Sequence, residues 1–248
     1  MTAPDTVPAT GPRRFRPTFW ATAATIVAVL IMLGLGTWQV QRLMWKNDLM
    51  ARIETRMAAA PEALPAHVED PQEWDYRRVS VTGRLLNDRE FNLNARSMRG
   101  NVGYQILTPL ERADGGGIVM VNRGWVPPEK RGEESRREAS FADTVTIEGV
   151  ARVPRNAKAS SFQPDNEAEK NSWFWIDLPH MARLLGVERI HPVVVEAGEA
   201  ENPGGFPKGG QTRVSIPNDH LSYAITWYSL ALALLVIYVL FHLRREKA

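Results

Sequence analysis

The sequence predicts a membrane protein in which two transmembrane α-helices, one at each end, flank a mainly antiparallel β (α+β) extracytoplasmic domain. The helices are predicted by residues 18–41 and 221–243, which contain no Lys, Arg, Asp or Glu. An α-helix rises about 1.5 Å per residue, so roughly 20 apolar residues cross a hydrocarbon core of ~30 Å. The domain is predicted by short runs of alternating apolar and polar residues in the ~170 residues between the helices, enough for one hydrophobic core.

The first charge-free run is interpreted as an uncleaved membrane anchor rather than a secretory signal peptide. It is longer than the core of a signal peptide (about 7–15 residues), and no A-x-A-like cleavage site follows it. Basic residues lie in both tails, and the positive-inside rule therefore predicts cytoplasmic termini. The predicted segments are a cytoplasmic tail (1–17), a transmembrane helix (18–41), a periplasmic domain (42–217), a second transmembrane helix (218–243) and a cytoplasmic tail (244–248).

Composition bounds both the location and the class of the protein. Residues 1–12 contain no Arg or Lys, unlike a mitochondrial transit peptide, which favours a bacterial cytoplasmic (inner) membrane. The absence of cysteine excludes disulfides, thiolate metal sites and cysteine nucleophiles. A net charge of +2 from balanced acids and bases gives no nucleic-acid signature. Motifs of serine hydrolases, P-loop enzymes and zinc peptidases are missing, and nothing in the sequence argues for an enzyme. The prediction is a protein that is not an enzyme, and the enzyme alternative, a membrane-tethered hydrolase of the cell envelope, lacks any catalytic constellation.

The central segment reads as short strands, which predicts an antiparallel barrel or sandwich. The predicted strands are residues 77–86, 90–96, 103–110, 118–123, 145–152, 173–176 and 192–196. A glycine-rich turn at 113–117 predicts a hairpin between the third and fourth of them. Two helices are predicted, one at 45–59 that continues the first span and one at 178–185 that ends before Gly186. The densely charged run 127–138 is predicted to be a solvated loop, with a contact to lipid headgroups as the alternative.

The histidines are the remaining candidates for chemistry. Three of the five, in the central segment, have the surroundings of structural or surface residues. His220 and His242 lie 22 positions apart, about 33 Å along a helix, and cannot bind the same metal ion. His220, Tyr223 and Trp227 follow the spacing i, i+3, i+7, which places them on one helical face. This pattern fits either an aromatic belt, the more common case at membrane interfaces, or a haem site.

The two predicted spans run antiparallel, so the outer end of the first lies at the depth of the outer end of the second. Trp38, Gln39 and Arg42 are then level with His220, and the arginine could pair with a carboxylate such as a haem propionate. Gly34 and Gly36 would allow close approach of another helix. At the inner end, aromatic and basic neighbours place His242 among the lipid headgroups.

Three motifs together resemble a known family. Residues 36–46 (GTWQVQRLMWK) resemble the G-x-W-Q-x-x-R-x-x-W-K signature of the surfeit locus (Surf/Shy) family of cytochrome c oxidase assembly factors. Residues 121–127 (VNRGWVP) are similar to a central segment of that family, and residues 218–228 are similar to its N-x-H-L-x-Y-x-x-T-W-Y motif. Residues 171–186 share its W-[FY] and D-x-x-x-M-A elements. The matches occur in the expected order and extend over nearly the whole chain.

The resemblance implies a chaperone of respiratory chain biogenesis that binds haem a transiently and assists its insertion into oxidase subunit I. The implied partners are subunit I, haem a synthase and the lipid bilayer. The motif histidine maps onto His220 as the iron ligand. The residues expected to contact the haem around this ligand are Tyr223, Trp227, Trp38 and Arg42.

Two questions stay open at this stage. The alternative function is a cofactor-free membrane scaffold that stabilises an early subunit I assembly intermediate, with His220 at the helix end only. In the central motif, the simplest roles are structural: Arg123 in an ion pair, Gly124 in a turn and Trp125 in the core.

Overall fold

The computed structural model describes residues 13–141, 143–212, 214 and 217–245. Predictions made for residues 1–12 and 246–248 lie outside these ranges. The chain divides into two compact units, a helical unit (Met1–Ala51 with Ser215–Ala248) and a β unit (Arg52–Val214). In chain order, the elements are β1 (Arg13–Phe15), α1 (Phe19–Ala58), β2 (Glu62–Ala63), β3 (Arg78–Leu85), β4 (Phe91–Met98), β5 (Asn101–Arg112), β6 (Ile118–Val126), β7 (Thr144–Arg152), α2 (Leu178–Leu185), β8 (Ile190–Ala197), α3 (His220–His242) and β9 (Leu243–Arg245).

The helices α1 and α3 contain the two charge-free runs. Their most apolar windows have mean hydropathies of 2.1 and 2.2, and both helices are long and apolar enough to cross a membrane. The 40 residues of α1 correspond to about 60 Å, so this helix extends well past a single hydrocarbon thickness. The prediction that the helix at 45–59 continues the first span is therefore confirmed, with its end at Ala58. Antiparallel pairing of β1 with β9 joins the chain just before α1 to the chain just after α3.

The β unit is built on a seven-stranded sheet in the order β2-β3-β7-β8-β6-β5-β4. An additional antiparallel pairing of β3 with β5 closes five of these strands into a circuit. The predicted barrel is thus present, and the predicted hairpin is the antiparallel pair of β5 and β6. The pair of β6 with β8 is parallel, an exception that the sequence pattern did not predict.

Strands β6 and β8 are buried on both faces. Val119 and Val121 pack into the cluster inside the circuit, whereas Met120 between them packs into a second cluster beneath α2. In β8, Val194 likewise faces the second cluster. Two-sided burial explains why these strands are continuous apolar runs instead of alternating ones.

The second cluster is closed by α2 and by Trp173. The side chain of Asp177 accepts a hydrogen bond from the backbone nitrogen of His180 at 3.1 Å, which caps α2, and Gly186 ends the helix at a φ of 72°. The predicted strand at 173–176 is wrong, since only Trp173 forms an isolated bridge, to Leu93. Trp173 is fully buried, so the aromatic run reflects core packing and not a sheet ladder.

The charged run at 127–138 is only partly the solvated loop that was predicted. It forms two 3₁₀ turns, Pro128–Lys130 and Glu133–Ala139, and four of its eight charged residues are exposed. Arg136 is the correction, because its side chain is buried and forms a 2.7 Å ion pair with Glu90. The partner lies 46 residues earlier in the chain, so local composition contains no sign of it.

Candidate functional site

The imidazole of His220 lies at the start of α3 and faces α1. Its Nδ1 atom is 2.6 Å from the Oε1 atom of Gln39. A carbonyl oxygen only accepts hydrogen bonds, so Nδ1 donates, and the lone pair of the neutral ring is at Nε2. The Nε2 atom makes no hydrogen bond within the described residues, and the ring is partly exposed. His220 thus offers one free nitrogen ligand at the end of a helix.

Trp38 is the second α1 residue at this histidine. The two rings stand edge to face, with centroids 6.3 Å apart and an interplanar angle of 84°. More than half of the indole surface (54%) is exposed. The structure therefore brings together Trp38 and His220, as the antiparallel arrangement of the spans predicts.

Tyr223 and Trp227 lie one and two turns further along α3. At about 100° per residue they fall on the same flank of the helix as His220. Tyr223 is 57% exposed and Trp227 is half-buried, and in the described part of the chain neither ring contacts the imidazole. The two aromatic side chains extend the exposed surface next to His220 rather than enclosing it.

Arg42 lies one turn beyond Trp38 on α1. Its guanidinium carbon is 3.9 Å from the centroid of the Trp45 ring, a cation–π contact. Among the described residues it has no carboxylate partner. An exposed guanidinium held over an indole is available to an anionic group from outside the chain.

Close packing and polar contacts fix the register of α1 against α3 around this end. Gly36 is buried against Tyr228, and a Cβ atom at position 36 would come within 2.8 Å of the phenol ring. The Tyr228 hydroxyl is 3.2 Å from the hydroxyl of Thr37. Gly34, in contrast, has nothing within 4 Å of such a Cβ atom. Of the two glycines predicted to allow close approach, only Gly36 does so in this chain.

The segment that enters α3 is also tied to α1. Lys46 donates through Nζ to the carbonyl oxygen of Pro217 at 2.6 Å. Asn218 donates to the side-chain oxygen of Asn47 at 2.9 Å. The backbone just before His220 is therefore held at two points, which limits how far the imidazole can move.

His242, at the opposite end of α3, is only 1% exposed, so its ring is buried within the protein and not in contact with lipid headgroups as the prediction implies. Its Nε2 atom is 3.3 Å from the hydroxyl of Thr18, and its Nδ1 atom is 2.8 Å from the carbonyl oxygen of Tyr238. The ring packs between aromatic neighbours, with the Tyr238 ring centroid at 4.4 Å. With both nitrogens engaged, His242 serves the packing of the helices.

The central motif is located in the β unit, where each residue has a structural contact. Arg123 is buried with its Nη1 atom 3.5 Å from a carboxylate oxygen of Glu90. Gly124 has a φ of 116°, which a residue with a side chain rarely adopts. The indole nitrogen of Trp125 donates to the carbonyl oxygen of Arg96 at 3.2 Å. The contacts of Arg123 and Trp125 match the ion pair and core roles expected for them. Gly124 differs, because it lies within β6 at a register shift against β5 and not in a turn.

Burial lowers the pKa of the Arg123 guanidinium, and the nearby carboxylate of Glu90 opposes that effect. Sequence reasoning missed Glu90 as the carboxylate that Arg123 and Arg136 share. The β unit also contains two large cavities, of about 870 Å³ and 730 Å³, next to residues 199–211 and along β7. Within the described residues, no group of three or more His, Asp or Glu side chains could hold a metal ion.

Comparison with known proteins places this arrangement in a family. The model of the SURF1 family matches residues 26–232, a range that includes α1 from residue 26 onward, the β unit and the first half of α3. The chain belongs to the SURF1 family. The match covers Trp38, Arg42, His220, Tyr223 and Trp227, so all five predicted site residues lie inside it.

Several relatives in this family are similar over most of their length. A SURF1-like protein from Monosiga brevicollis is 37% identical over 239 residues, which cover 92% of this chain and 88% of the relative. Surfeit locus protein 1 from Homo sapiens is 36% identical over 215 residues, or 81% of this chain and 70% of the relative. The mouse protein of the same name is also 36% identical, over 214 residues. Similarity at this level therefore extends over most of this chain.

Proposed function

We propose that this chain is a cytochrome c oxidase assembly factor of the bacterial cytoplasmic membrane. In this proposal it binds haem a at His220 and assists its insertion into oxidase subunit I. Membership of the SURF1 family supports the assembly role. One observation supports the haem site above all others: His220 presents a free Nε2 atom on a partly exposed ring whose other nitrogen is bonded to Gln39.

The residues around His220 fit a flat macrocycle that carries carboxylates. A neutral imidazole nitrogen is a good ligand for haem iron. The exposed ring of Trp38 supplies aromatic surface beside the ligand, and Tyr223 and Trp227 add more along α3. Arg42, without a carboxylate partner in the described residues, supplies a cation for a propionate. The chain would coordinate the haem iron and would carry out no reaction on the porphyrin, because transfer of haem requires none.

In this proposal the chain binds haem through one protein ligand, so the complex can dissociate. Because the imidazole of His220 is partly exposed, a recipient protein could reach the haem while His220 still holds it. Both termini are then cytoplasmic, α1 and α3 cross the bilayer, and the β unit lies in the periplasm. The β unit would dock subunit I or haem a synthase. The membrane would hold this chain, subunit I and the synthase at the same depth.

The proposal is tested by expressing the full chain in a host that makes haem a and recording the visible spectrum of the purified protein. We expect the wild type to carry haem a and His220→Ala to lose it. His67→Ala is the matched control, because His67 is an exposed histidine of the β unit and should leave the haem content unchanged. Equal haem content in wild type and His220→Ala would refute the ligand assignment. If that variant also co-purified subunit I, the cofactor-free scaffold would be the better account.

A further inference from the structure

The hydrogen bond between Gln39 and His220 determines which imidazole nitrogen is free. A neutral imidazole has two tautomers, with the hydrogen on either Nδ1 or Nε2, and without a fixed partner the ring is a mixture of both. The Gln39 Oε1 atom, at 2.6 Å from Nδ1, can only accept a hydrogen bond. It therefore stabilises the tautomer that carries hydrogen on Nδ1 and leaves the lone pair on Nε2.

We infer that Gln39 is a positioning residue that prepares His220 as an Nε2 ligand for haem iron. This inference rests on the function proposed above. The nitrogen that Gln39 leaves free is the one farther from the backbone, so a wide planar ring can approach it with less crowding. Metal-binding histidines commonly donate their second ring nitrogen to a carbonyl or carboxylate, which fixes the ring and raises its basicity.

Two neighbouring residues of α1 hold the imidazole from different directions. Gln39 bonds to its Nδ1 atom, and Trp38 stands edge to face against the ring with centroids 6.3 Å apart. Rotation of the ring about its own axis would break the first contact, and a change of rotamer would break the second. The ring is thus already oriented in the ligand-free protein, which lowers the entropic cost of binding.

The position of Gln39 on α1 lets its side chain reach His220. Gln39 is half-buried on α1, three residues beyond Gly36, whose close contact with Tyr228 sets the spacing of the helices. A glutamine side chain is long enough to cross that gap and short enough to leave the exposed side of His220 open. Gln41, two positions away, is exposed and makes no hydrogen bond of its side chain in the described residues.

The first experiment measures the tautomer directly in the haem-free full chain, in detergent micelles, with ¹⁵N-labelled histidine. The His220 signals are assigned by their loss in His220→Ala. We expect wild type to show a protonated Nδ1 and an unprotonated Nε2, and Gln39→Leu to show a mixture of tautomers. Gln41→Leu, the matched control, should give the wild-type spectrum. A wild-type ring protonated at Nε2, or an unchanged ratio in Gln39→Leu, would overturn the inference.

The second experiment titrates the same proteins with haem a. Loss of a partner of this kind commonly weakens metal binding by about 10- to 100-fold, and we expect that range for Gln39→Leu. Gln39→Glu keeps an acceptor at the same position and should restore affinity, with a shifted haem absorption because a carboxylate makes the imidazole more electron-rich. Gln41→Leu should bind as wild type does.

The two experiments separate failure of the inference from failure of the proposed function. If His220→Ala abolishes binding but Gln39→Leu binds haem a with wild-type affinity, the positioning role is refuted and the haem site remains. If His220→Ala binds as tightly as wild type, the haem site itself is refuted, and the positioning role is refuted with it.

Discussion

Glu90 accepts a 2.7 Å hydrogen bond from the Nη2 atom of Arg136, and both side chains are buried in the β unit. Its other carboxylate oxygen lies 3.5 Å from Arg123 of the central motif. One carboxylate therefore compensates two buried guanidinium groups. The contact also attaches the charged segment at 127–138 to the start of β4.

We expect Glu90→Gln to destabilise the β unit by about 3–5 kcal/mol, because it leaves two buried cations without a counter-charge. Glu134→Gln is the matched control, since Glu134 pairs with Arg137 at the surface, where both side chains are mostly exposed. Surface pairs of this kind contribute less than about 1 kcal/mol. Urea unfolding of the full chain in micelles, followed by tryptophan fluorescence, measures both variants. Equal midpoints for the two would show that the buried pair does not stabilise the fold.

A second prediction concerns the effect of a side chain at Gly124, in the central motif, on the stability of the β unit. Its φ of 116° disfavours any side chain, and a Cβ atom would overlap the carbonyl oxygen of Lys208, which bonds to the neighbouring nitrogen of Trp125 at 2.9 Å. We expect Gly124→Ala to cost about 3 kcal/mol from backbone strain and overpacking. Gly132→Ala, at a position with ordinary φ and open space, should change stability little. Thermal melts monitored by circular dichroism compare them; a melting temperature of Gly124→Ala equal to that of Gly132→Ala would contradict the prediction.

Local features of the fold could be predicted from the sequence, but strand pairs and ion pairs between residues far apart in the chain could not. Helix α2 was predicted to the residue, because its proline, apolar spacing and Gly186 are adjacent in the chain. The closure of the sheet by β3 and β5 depends on strands whose partners the alternation does not specify. Arg136 was predicted to be exposed, since its partner Glu90 is remote in sequence.

The candidate site shows the same division. The depth argument for antiparallel spans correctly brought Trp38 next to His220, because helical rise alone determines depth. It could not reveal which side chain of α1 bonds to the imidazole, since that depends on how the two helices are rotated about their axes. The hydrogen bond between Gln39 and His220 could therefore be identified only from the structure.

The contact between Gly36 and Tyr228 predicts that a larger side chain at position 36 disturbs the packing of α1 against α3. Gly36→Leu should separate α1 from α3, whereas Gly34→Leu should not, because nothing lies within 4 Å of a Cβ atom at position 34. Leucine favours helix at both positions, so a difference between the variants reports packing and not propensity. The chain lacks cysteine, so spin labels can be attached to cysteines introduced at Leu33 and Leu232, both exposed. We expect a longer, broader distance distribution in Gly36→Leu alone; the same change in both variants would refute the packing role.

His191 predicts a pH dependence of the β unit. The side chain is 6% exposed, and its Nδ1 atom accepts a hydrogen bond from the backbone nitrogen of Val193 at 3.2 Å. Burial lowers the pKa of His191 below the ordinary value of 6.5, and the charges of Arg112 and His67 act in the same direction. Below pH ~6.5 the unfolded chain binds a proton that the folded chain does not, so stability is lost as the pH falls.

We expect the free energy of unfolding to decrease between pH 7 and pH 5, with this residue contributing at most about 1.4 kcal/mol per pH unit below its unfolded pKa. His191→Asn keeps an acceptor for Val193 and removes the titrating group, so its stability should depend less on pH than that of wild type. His67→Asn, at an exposed position, should retain most of the wild-type slope. Urea unfolding at several pH values measures the three slopes. A wild-type slope preserved in His191→Asn would mean that the acid sensitivity of the β unit has its origin in another group.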